Sequence, residues 1–209
     1  MTFQQNGLRA LISQSPLLNP VLEHWTQIAL PHAWLVAGAI AQTVWNHAFG
    51  LPPDHGIDDI DIVYFDENLG EDAEAAHAAR IERLFAGLPV RVDVKNQARV
   101  HVWYEEKFGY PIMPYRSVEQ AITTFPTTAT AVGVRPGNGA FALCAPFGLS
   151  DLLAPVVRAN KRQITRELYE KKTARWRGHW PDLTVIPWDQ QAGSGKSAGR
   201  AQPPARPVS

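Results

Sequence analysis

The sequence is poor in cysteine and has no excess of charge of either sign. Cys144 is the single cysteine in 209 residues, which excludes an intrachain disulfide and a cysteine-based zinc site. We expect it to be a small buried side chain in a reducing compartment. The 20 basic residues balance the 20 acidic ones, so bulk electrostatic attraction does not favour a nucleic acid, and no DNA partner is expected.

Long apolar runs are also missing. No segment approaches the roughly 20 apolar residues of a membrane helix, and the first six residues lack the basic region and apolar core of a signal peptide. These absences predict a cytoplasmic protein with no membrane partner. Hydrophobic residues still make up 45% of the chain, which is enough for a core.

The composition changes near the C-terminus. From residue 190 onward Gly, Ser, Pro, Ala and Arg dominate, and such a segment has little apolar surface to bury. We therefore predict one domain over residues 1–189 and a disordered tail over residues 190–209.

Residues 57–65 contain two aspartates in a segment that otherwise has the composition of a β-strand. Strand side chains alternate between faces, so Asp59 and Asp61 share one face, with Cα atoms roughly 6.5–7 Å apart. Like charges at this spacing repel unless a cation lies between them, and oxygen ligands favour Mg²⁺ or Mn²⁺. The alternative is an exposed strand end whose acids are solvated.

Two features flank this strand. Upstream, a short apolar strand is followed by Gly38 and by a helical pattern over residues 40–49. Gly38 permits a tight turn and a close approach of a ligand, and free N–H groups at a helix start suit a phosphate. Downstream, Asp93 lies within the alternating strand 90–94 and supplies a third carboxylate for a two-metal site.

This order of glycine turn, helix, Asp-x-Asp strand, helix and third acid resembles the nucleotidyltransferase superfamily of the DNA polymerase β type. The chain is more closely similar to a bacterial family of nucleotidyltransferase-like proteins over about residues 16–188. The segments that carry this similarity are 36–40, 59–66, 93–99 and 145–149. The resemblance implies an α/β (α+β) fold of the polymerase β type, with a small mixed sheet flanked by helices.

The resemblance also implies a function and a site. A nucleoside monophosphate would pass from a nucleoside triphosphate to an acceptor hydroxyl, on a small molecule, an RNA or a protein. Asp59, Asp61 and Asp93 would be catalytic and would hold Mg²⁺ or Mn²⁺, and the N–H groups of Gly38 and Ala39 would bind phosphate. Since Ala39 stands where the superfamily usually has Gly or Ser, a catalytically inactive nucleotide- or partner-binding module is the alternative.

The charges are unevenly distributed along the chain. Residues 54–82 contain ten acids and one base, whereas residues 158–177 contain eight bases and two acids. Glu71, Asp72 and Glu74 are expected to form a solvated first turn of a helix. The basic segment either faces the acidic cleft and contacts the nucleotide or the acceptor, or is a solvated helix.

Lys95 and Arg99 follow Asp93 closely enough to reach a bound triphosphate. The alternative is that both side chains only cap or solvate the helix predicted after Asp93. For the scaffold, the patterns predict core-packing helices over residues 3–30, a capped helix at 117–122 and a hairpin over 128–144. The loop at 50–56 makes the spacing between Gly38 and Asp59 longer than is usual in the superfamily.

Overall fold

A five-stranded mixed sheet forms the centre of the computed structural model, which describes residues 3–137 and 141–190. Its strand order is β3-β2-β1-β4-β5, and a separate parallel pair joins β6 and β7. The strands are β1 (Trp34–Val36), β2 (Asp59–Tyr64), β3 (Arg91–Asn96), β4 (Gly133–Pro136), β5 (Phe141–Cys144), β6 (Val156–Val157) and β7 (Thr184–Val185). Beyond Gln190, the predicted tail lies outside the described residues.

Helices flank the sheet, as the sequence predicts. They are α1 (Phe3–Gln14), α2 (Leu18–Glu23), α3 (Trp25–Ile28), α4 (Gly38–Ala48), α5 (Glu71–Leu84), α6 (Val100–Phe108), α7 (Val118–Ile122), α8 (Ser150–Leu153) and α9 (Arg166–His179). A 3₁₀ turn at Gln97–Arg99 joins β3 to α6. Within the described residues, no helix is both long enough and apolar enough to cross a bilayer.

The scaffold predictions are largely confirmed. Helices α1 to α3 bury Leu8, Ile12 and Ile28 among other apolar residues. Ser117 caps α7 by accepting a hydrogen bond from the Gln120 N–H at 3.1 Å. The hairpin is formed by β4 and β5, although β4 begins later than predicted, and part of its turn, residues 138–140, lies outside the described residues.

Strand β2 has one antiparallel and one parallel neighbour. It pairs antiparallel with β1 and parallel with β3, and α5 makes the connection that a parallel pair requires. Asp61 lies opposite Val36 on β1 and opposite Asp93 on β3. Asp61 is therefore the middle residue of a row across three strands. Its partner on β1, Val36, lies two residues before α4 begins.

The alternation predicted for β2 is confirmed by the packing. Ile60, Ile62 and Tyr64 are at most 1% exposed and belong to the main core. Val63 packs on the opposite face with Trp34 and with residues of α7. Because side chains alternate, Asp59 and Asp61 lie on this opposite face, beyond the area that α7 covers.

Helix α9 is held against α4 by tryptophans. The ring centroids of Trp176 and Trp180 lie 5.5 and 5.4 Å from that of Trp45, and all three side chains are at most 4% exposed. The Trp180 Nε1–H donates to Asn46 Oδ1 at 2.7 Å. These tryptophans at the end of α9 are therefore core residues, and they fix the position of α9 against α4.

The loop at residues 50–56 completes this contact. Asn46 Nδ2 donates to the carbonyls of Pro53 and His55 at 3.2 and 2.9 Å. Gly56 has a φ of +65°, and a Cβ there would lie 2.8 Å from the Trp180 ring. The extra length between α4 and β2 thus packs against the end of α9.

One prediction about α5 is wrong. Glu71 and Asp72 are exposed as expected, but Glu74 is only 8% exposed. Its carboxylate accepts the Asn96 N–H at 2.7 Å and the Arg99 Nη1–H at 2.9 Å. Because α5 packs on β3, Glu74 reaches the end of that strand, where a buried donor and a cation pair with it.

We predict that Gly56→Ala destabilises the protein more than Gly50→Ala. Both glycines have left-handed φ angles, but nothing lies within 4 Å of a Cβ at Gly50. Gly50→Ala should cost about 1–2 kcal/mol from backbone strain alone. Gly56→Ala should cost about 1–3 kcal/mol more, because the methyl group collides with a buried ring. Urea unfolding of both variants measures the difference, and equal losses would contradict this packing.

Candidate active site

The structure brings the three predicted carboxylates together on one face of the sheet. Asp59 and Asp61 lie on β2, and Asp93 is the register partner of Asp61 on β3. The parallel pairing of β2 with β3 places these side chains in adjacent rows of the same face. Their roles in catalysis and metal binding stay predictions.

Arg91 connects two of these acids. Its Nε and Nη2 donate to the two Asp93 oxygens at 2.7 and 3.0 Å, and Nη2 also reaches Asp59 Oδ2 at 3.3 Å. Arg91 is the register partner of Asp59, so its guanidinium stays on the same face. The arginine thus lies where it partly neutralises the carboxylates.

Asp61 is the carboxylate with the least favourable environment. Burial, together with the charges of Asp59 and Asp93, raises its pKa to about 7. Lys172 and Arg91 act in the opposite direction without cancelling the shift. The positive charges near Asp61 are therefore too weak to offset the burial of its carboxylate and its repulsion by Asp59 and Asp93.

The donor set suits a hard cation that is also held by substrate oxygens. Within residues 3–137 and 141–190, no group of three or more His, Cys, Asp or Glu side chains is placed to hold a metal ion by itself. Mg²⁺ is usually held by one or two carboxylates together with water and substrate phosphates. The carboxylates and the raised pKa of Asp61 fit such an open arrangement.

The turn before α4 differs in one position from the prediction. Ala37, not Gly38, has the left-handed φ of +62°, and its N–H donates to the Val132 carbonyl at 3.0 Å. Gly38 does not have a positive φ. The absence of a side chain there leaves space above the helix start, because an added Cβ would approach only Gln42, at 3.9 Å. Ala39 is fully buried, so its methyl group packs in the core, and only its N–H remains available at the helix start.

Lys95 and Arg99 have different surroundings. Lys95 lies on the same face as Asp93, and its Nζ is 3.9 Å from Glu74 Oε1. Arg99 is 6% exposed, pairs with Glu74 and donates to the Leu69 carbonyl at 2.8 Å. The structure thus places Lys95 on the face of the sheet that carries Asp93, near Glu74, whereas the Arg99 guanidinium is bound to the start of α5.

Lys172 is a site residue that sequence reasoning did not single out. Burial and Arg175 lower its pKa, while Asp61 and Asp59 act to raise it. Leu168, Lys172 and Trp176 are spaced by four residues, so Lys172 belongs to the inward stripe of α9. This spacing, within a basic segment, is the sequence signal that identifies it.

Two other basic residues of the segment form ion pairs with acids that do not belong to the site. Arg158 Nε lies 3.0 Å from Asp151, and Arg166 bonds Glu170 and Asp189 at 2.8 and 2.9 Å. The segment as a whole therefore does not face the carboxylates. Lys172 is the residue through which α9 contributes positive charge there.

A cavity of about 320 Å³ opens beside Asp61. Val36, Val63 and Lys95 form the part contributed by the sheet, and Lys172 lines it from α9. Aromatic side chains make up much of the remaining wall. They are Trp103, Tyr104, Phe108, Tyr115 and Phe125.

Known proteins resemble this chain in sequence pattern and in fold. A family model described as Nucleotidyltransferase matches residues 23–185, and no curated protein matches the chain. An NMR structure described as revealing a CCA-adding enzyme head domain has 24% identity and a TM-score of 0.73, covering 89% of this chain and 98% of that one. This similarity confirms the predicted polymerase β-type fold.

Two longer solved structures also match. The Thermotoga maritima CCA-adding enzyme complexed with tRNA has 17% identity and a TM-score of 0.43, and the match covers 82% of this chain and 38% of that one. The Bacillus stearothermophilus CCA-adding enzyme in complex with CTP has 15% identity and a TM-score of 0.41, with 90% and 42% covered.

We predict that Asp61→Asn leaves the protein folded and changes its pH dependence. Because the folded state raises the pKa of Asp61 from 3.8 to about 7, it binds a proton more tightly than the unfolded chain. The metal-free protein should therefore lose stability as pH rises from about 4 to about 7. Asp61→Asn should remove this loss and be the more stable protein at about pH 8.

Urea unfolding in EDTA across this pH range provides the measurement. Asp58→Asn is the matched control, because Asp58 is an exposed carboxylate on the same segment. An Asp61→Asn protein that fails to fold would show that the carboxylate is structural.

Proposed function

Because this chain belongs to the nucleotidyltransferase family, we propose that it transfers a nucleoside monophosphate from a nucleoside triphosphate to an acceptor hydroxyl with the help of Mg²⁺ or Mn²⁺. The observation that carries the proposal is the pairing of Asp61 with Asp93 across parallel strands, together with the pairing of Asp61 with Val36, two residues before α4 begins. Carboxylates and a phosphate-binding helix start are the two components that such chemistry needs.

The reaction assigns separate tasks to the carboxylates. Asp59 and Asp61 would each hold both cations, and Asp93 would hold the one on the acceptor side. When bound, these cations lower the pKa of the acceptor hydroxyl and neutralise the triphosphate. Asp93 accepts the hydroxyl proton, the acceptor oxygen forms a bond to the α-phosphorus, and the bond from that phosphorus to the bridging oxygen breaks, which releases pyrophosphate.

The terminal phosphates require positive charge and N–H donors. The N–H groups of Gly38 and Ala39 lie at the start of α4, where intrahelical partners are lacking. Lys172 and Lys95 both line the cavity beside Asp61, and each supplies a charge to the triphosphate. Arg99 retains its pairing with Glu74, so its predicted contact with phosphate requires that pair to open.

Arg91 has to give up its carboxylate contacts when cations bind. Its side chain is 62% exposed, so rotation into solvent displaces no core contact. A guanidinium that leaves a carboxylate is well suited to a phosphate oxygen, which it binds with similar geometry. Arg91 is therefore a cation that stabilises the empty site and is free to contact the triphosphate.

The alternative function is a nucleotide- or partner-binding module without catalysis. Its support is the Arg91 bridge between Asp59 and Asp93 together with the buried Ala39 methyl group. In that case the triphosphate binds but no label reaches an acceptor. Incubation with each α-labelled triphosphate, a metal and fractionated cell extract distinguishes transfer from binding.

We predict that a triphosphate and a divalent metal stabilise the protein only in combination. A ligand at about 100 times its Kd stabilises a fold by roughly 2.7 kcal/mol. Thermal melts with each triphosphate, with Mg²⁺ or Mn²⁺, and with both together measure the effect. Asp61→Asn should lose the combined shift, and the absence of any shift in the wild-type protein at millimolar ligand would contradict the site.

We also predict that Lys172→Met weakens triphosphate binding. A hydrogen bond to a charged group contributes about 1.5–3 kcal/mol, so Kd should rise about tenfold or more. Lys171→Met is the control, because Lys171 is the exposed neighbour on α9. Equilibrium dialysis with labelled triphosphate gives both constants, and equal constants would remove Lys172 from the site.

A further inference from the structure

The cavity beside Asp61 has a charged side and a neutral side. Its charged lining residues are Asp61, Lys95 and Lys172. Lys95 is on the strand that carries Asp93, and Lys172 lines the cavity together with Asp61. The charges therefore gather at the carboxylates, and the rest of the wall is apolar or uncharged.

The neutral side is continuous with the strand that carries Asp93. After β3 the chain enters the 3₁₀ turn at Gln97–Arg99 and then α6, which places Val100, Trp103 and Tyr104 in the wall. Trp103 stacks on Tyr104 with ring centroids 6.2 Å apart. Aromatic walls of this kind favour a flat ring, which they contact by stacking or by edge-to-face packing.

Two carboxamides line the neutral side of the cavity. Gln97 is 6% exposed and lines the cavity, and no described residue forms a hydrogen bond with its side chain. Gln163 Oε1 accepts the Tyr115 hydroxyl at 2.9 Å, which leaves the Gln163 amide nitrogen for a ligand. Polar groups on a largely apolar wall orient a ligand, so the Gln97 and Gln163 carboxamides favour a ligand with a polar edge.

Hydroxyl groups hold the aromatic side chains of the neutral side in place. The Tyr104 and Tyr110 hydroxyls are 3.0 Å apart, and Tyr110 donates to the Gln163 carbonyl. Tyr115 joins Gln163 to Thr124, with 2.7 Å between the Tyr115 and Thr124 hydroxyls. The cavity is therefore preorganised by contacts that link α6 to the segment before α9.

We propose that this cavity binds the acceptor, and that the acceptor is a small uncharged aromatic alcohol or phenol rather than a nucleic acid. The inference rests on the proposed function, in which Asp61 would hold the cations that bind the reacting phosphate. An attacking hydroxyl must come within roughly 3–3.5 Å of the phosphorus, and Asp61 itself lines the cavity. An aromatic acceptor that fills the apolar wall also displaces water, which would otherwise compete as the attacking group.

Size and charge support the same class of acceptor. A volume of about 320 Å³ is at the small end of the range for small-molecule pockets and has no room for a nucleic acid strand. A nucleic acid would also require a track of cations along its backbone, whereas the neutral side of the cavity offers carboxamides and aromatic rings. The charged side is left for the triphosphate.

The test uses 2-naphthol as a flat hydroxylated probe, and adenosine and uridine as nucleoside probes. Calorimetry measures the binding of each probe to the full chain in the presence of Mg²⁺ and a non-hydrolysable triphosphate analogue. We expect 2-naphthol to bind together with the analogue, and neither nucleoside to displace it. Displacement by a nucleoside, or no binding of 2-naphthol, overturns the inference by assigning the cavity to the nucleobase or to neither ligand.

Variants on the two faces of α6 locate the binding site. Val100 lines the cavity and is 7% exposed, whereas Val102 is 58% exposed. Val100→Trp should fill the cavity and weaken 2-naphthol binding about tenfold or more, with the analogue unaffected. Val102→Trp should change neither. If Val100→Trp does not fold, Gln163→Leu serves instead, with an expected loss of roughly three- to tenfold.

The two proposals fail in different ways. If the triphosphate analogue does not bind with Mg²⁺, the proposed function fails, whatever the probes do. If the analogue binds but Val100→Trp weakens it as strongly as 2-naphthol, only the acceptor assignment fails. Transfer of label to the RNA fraction of an extract would also overturn the assignment while supporting nucleotidyl transfer.

Discussion

The repulsion among three carboxylates on one face of a small sheet is the constraint on which the site depends. Asp61 lies opposite Asp93 and two residues from Asp59, and burial raises its pKa to about 7. A protein that evolved only for stability gains nothing from this arrangement. The nearby cations, Arg91 and Lys172, reduce the repulsion without abolishing it, which leaves room for metal ions and the phosphates they bring.

The rest of the fold brings positive charge and a cavity to those carboxylates from distant parts of the chain. Tryptophan packing holds α9 against α4 and so sets Lys172 beside Asp61. The long loop before β2 supports the same contact, because it packs under Trp180. The long loop, which departs from the superfamily pattern, thus has a structural role in the packing of α9.

Much of the fold follows from local pattern, whereas the site depends on contacts that pattern does not show. Alternation along residues 57–65 places both aspartates on one face, and the resemblance to the polymerase β superfamily implies the mixed sheet. The burial of Glu74 was missed because it depends on how α5 lies on β3. Likewise, the left-handed turn at Ala37 depends on the Val132 carbonyl, and the pairing of Arg91 depends on the register of two strands.

The most direct measurement is the number of Mn²⁺ ions bound per chain, by electron paramagnetic resonance, with a non-hydrolysable triphosphate analogue at saturation. The account predicts two protein-bound ions for the wild-type protein and one for Asp93→Asn. For Asp61→Asn it predicts no protein-bound ion, so that the only bound Mn²⁺ is the Mn²⁺ that the analogue also binds in the absence of protein. Equal ion counts for the wild-type protein and both variants would contradict the claim that these carboxylates form a metal-dependent transfer site.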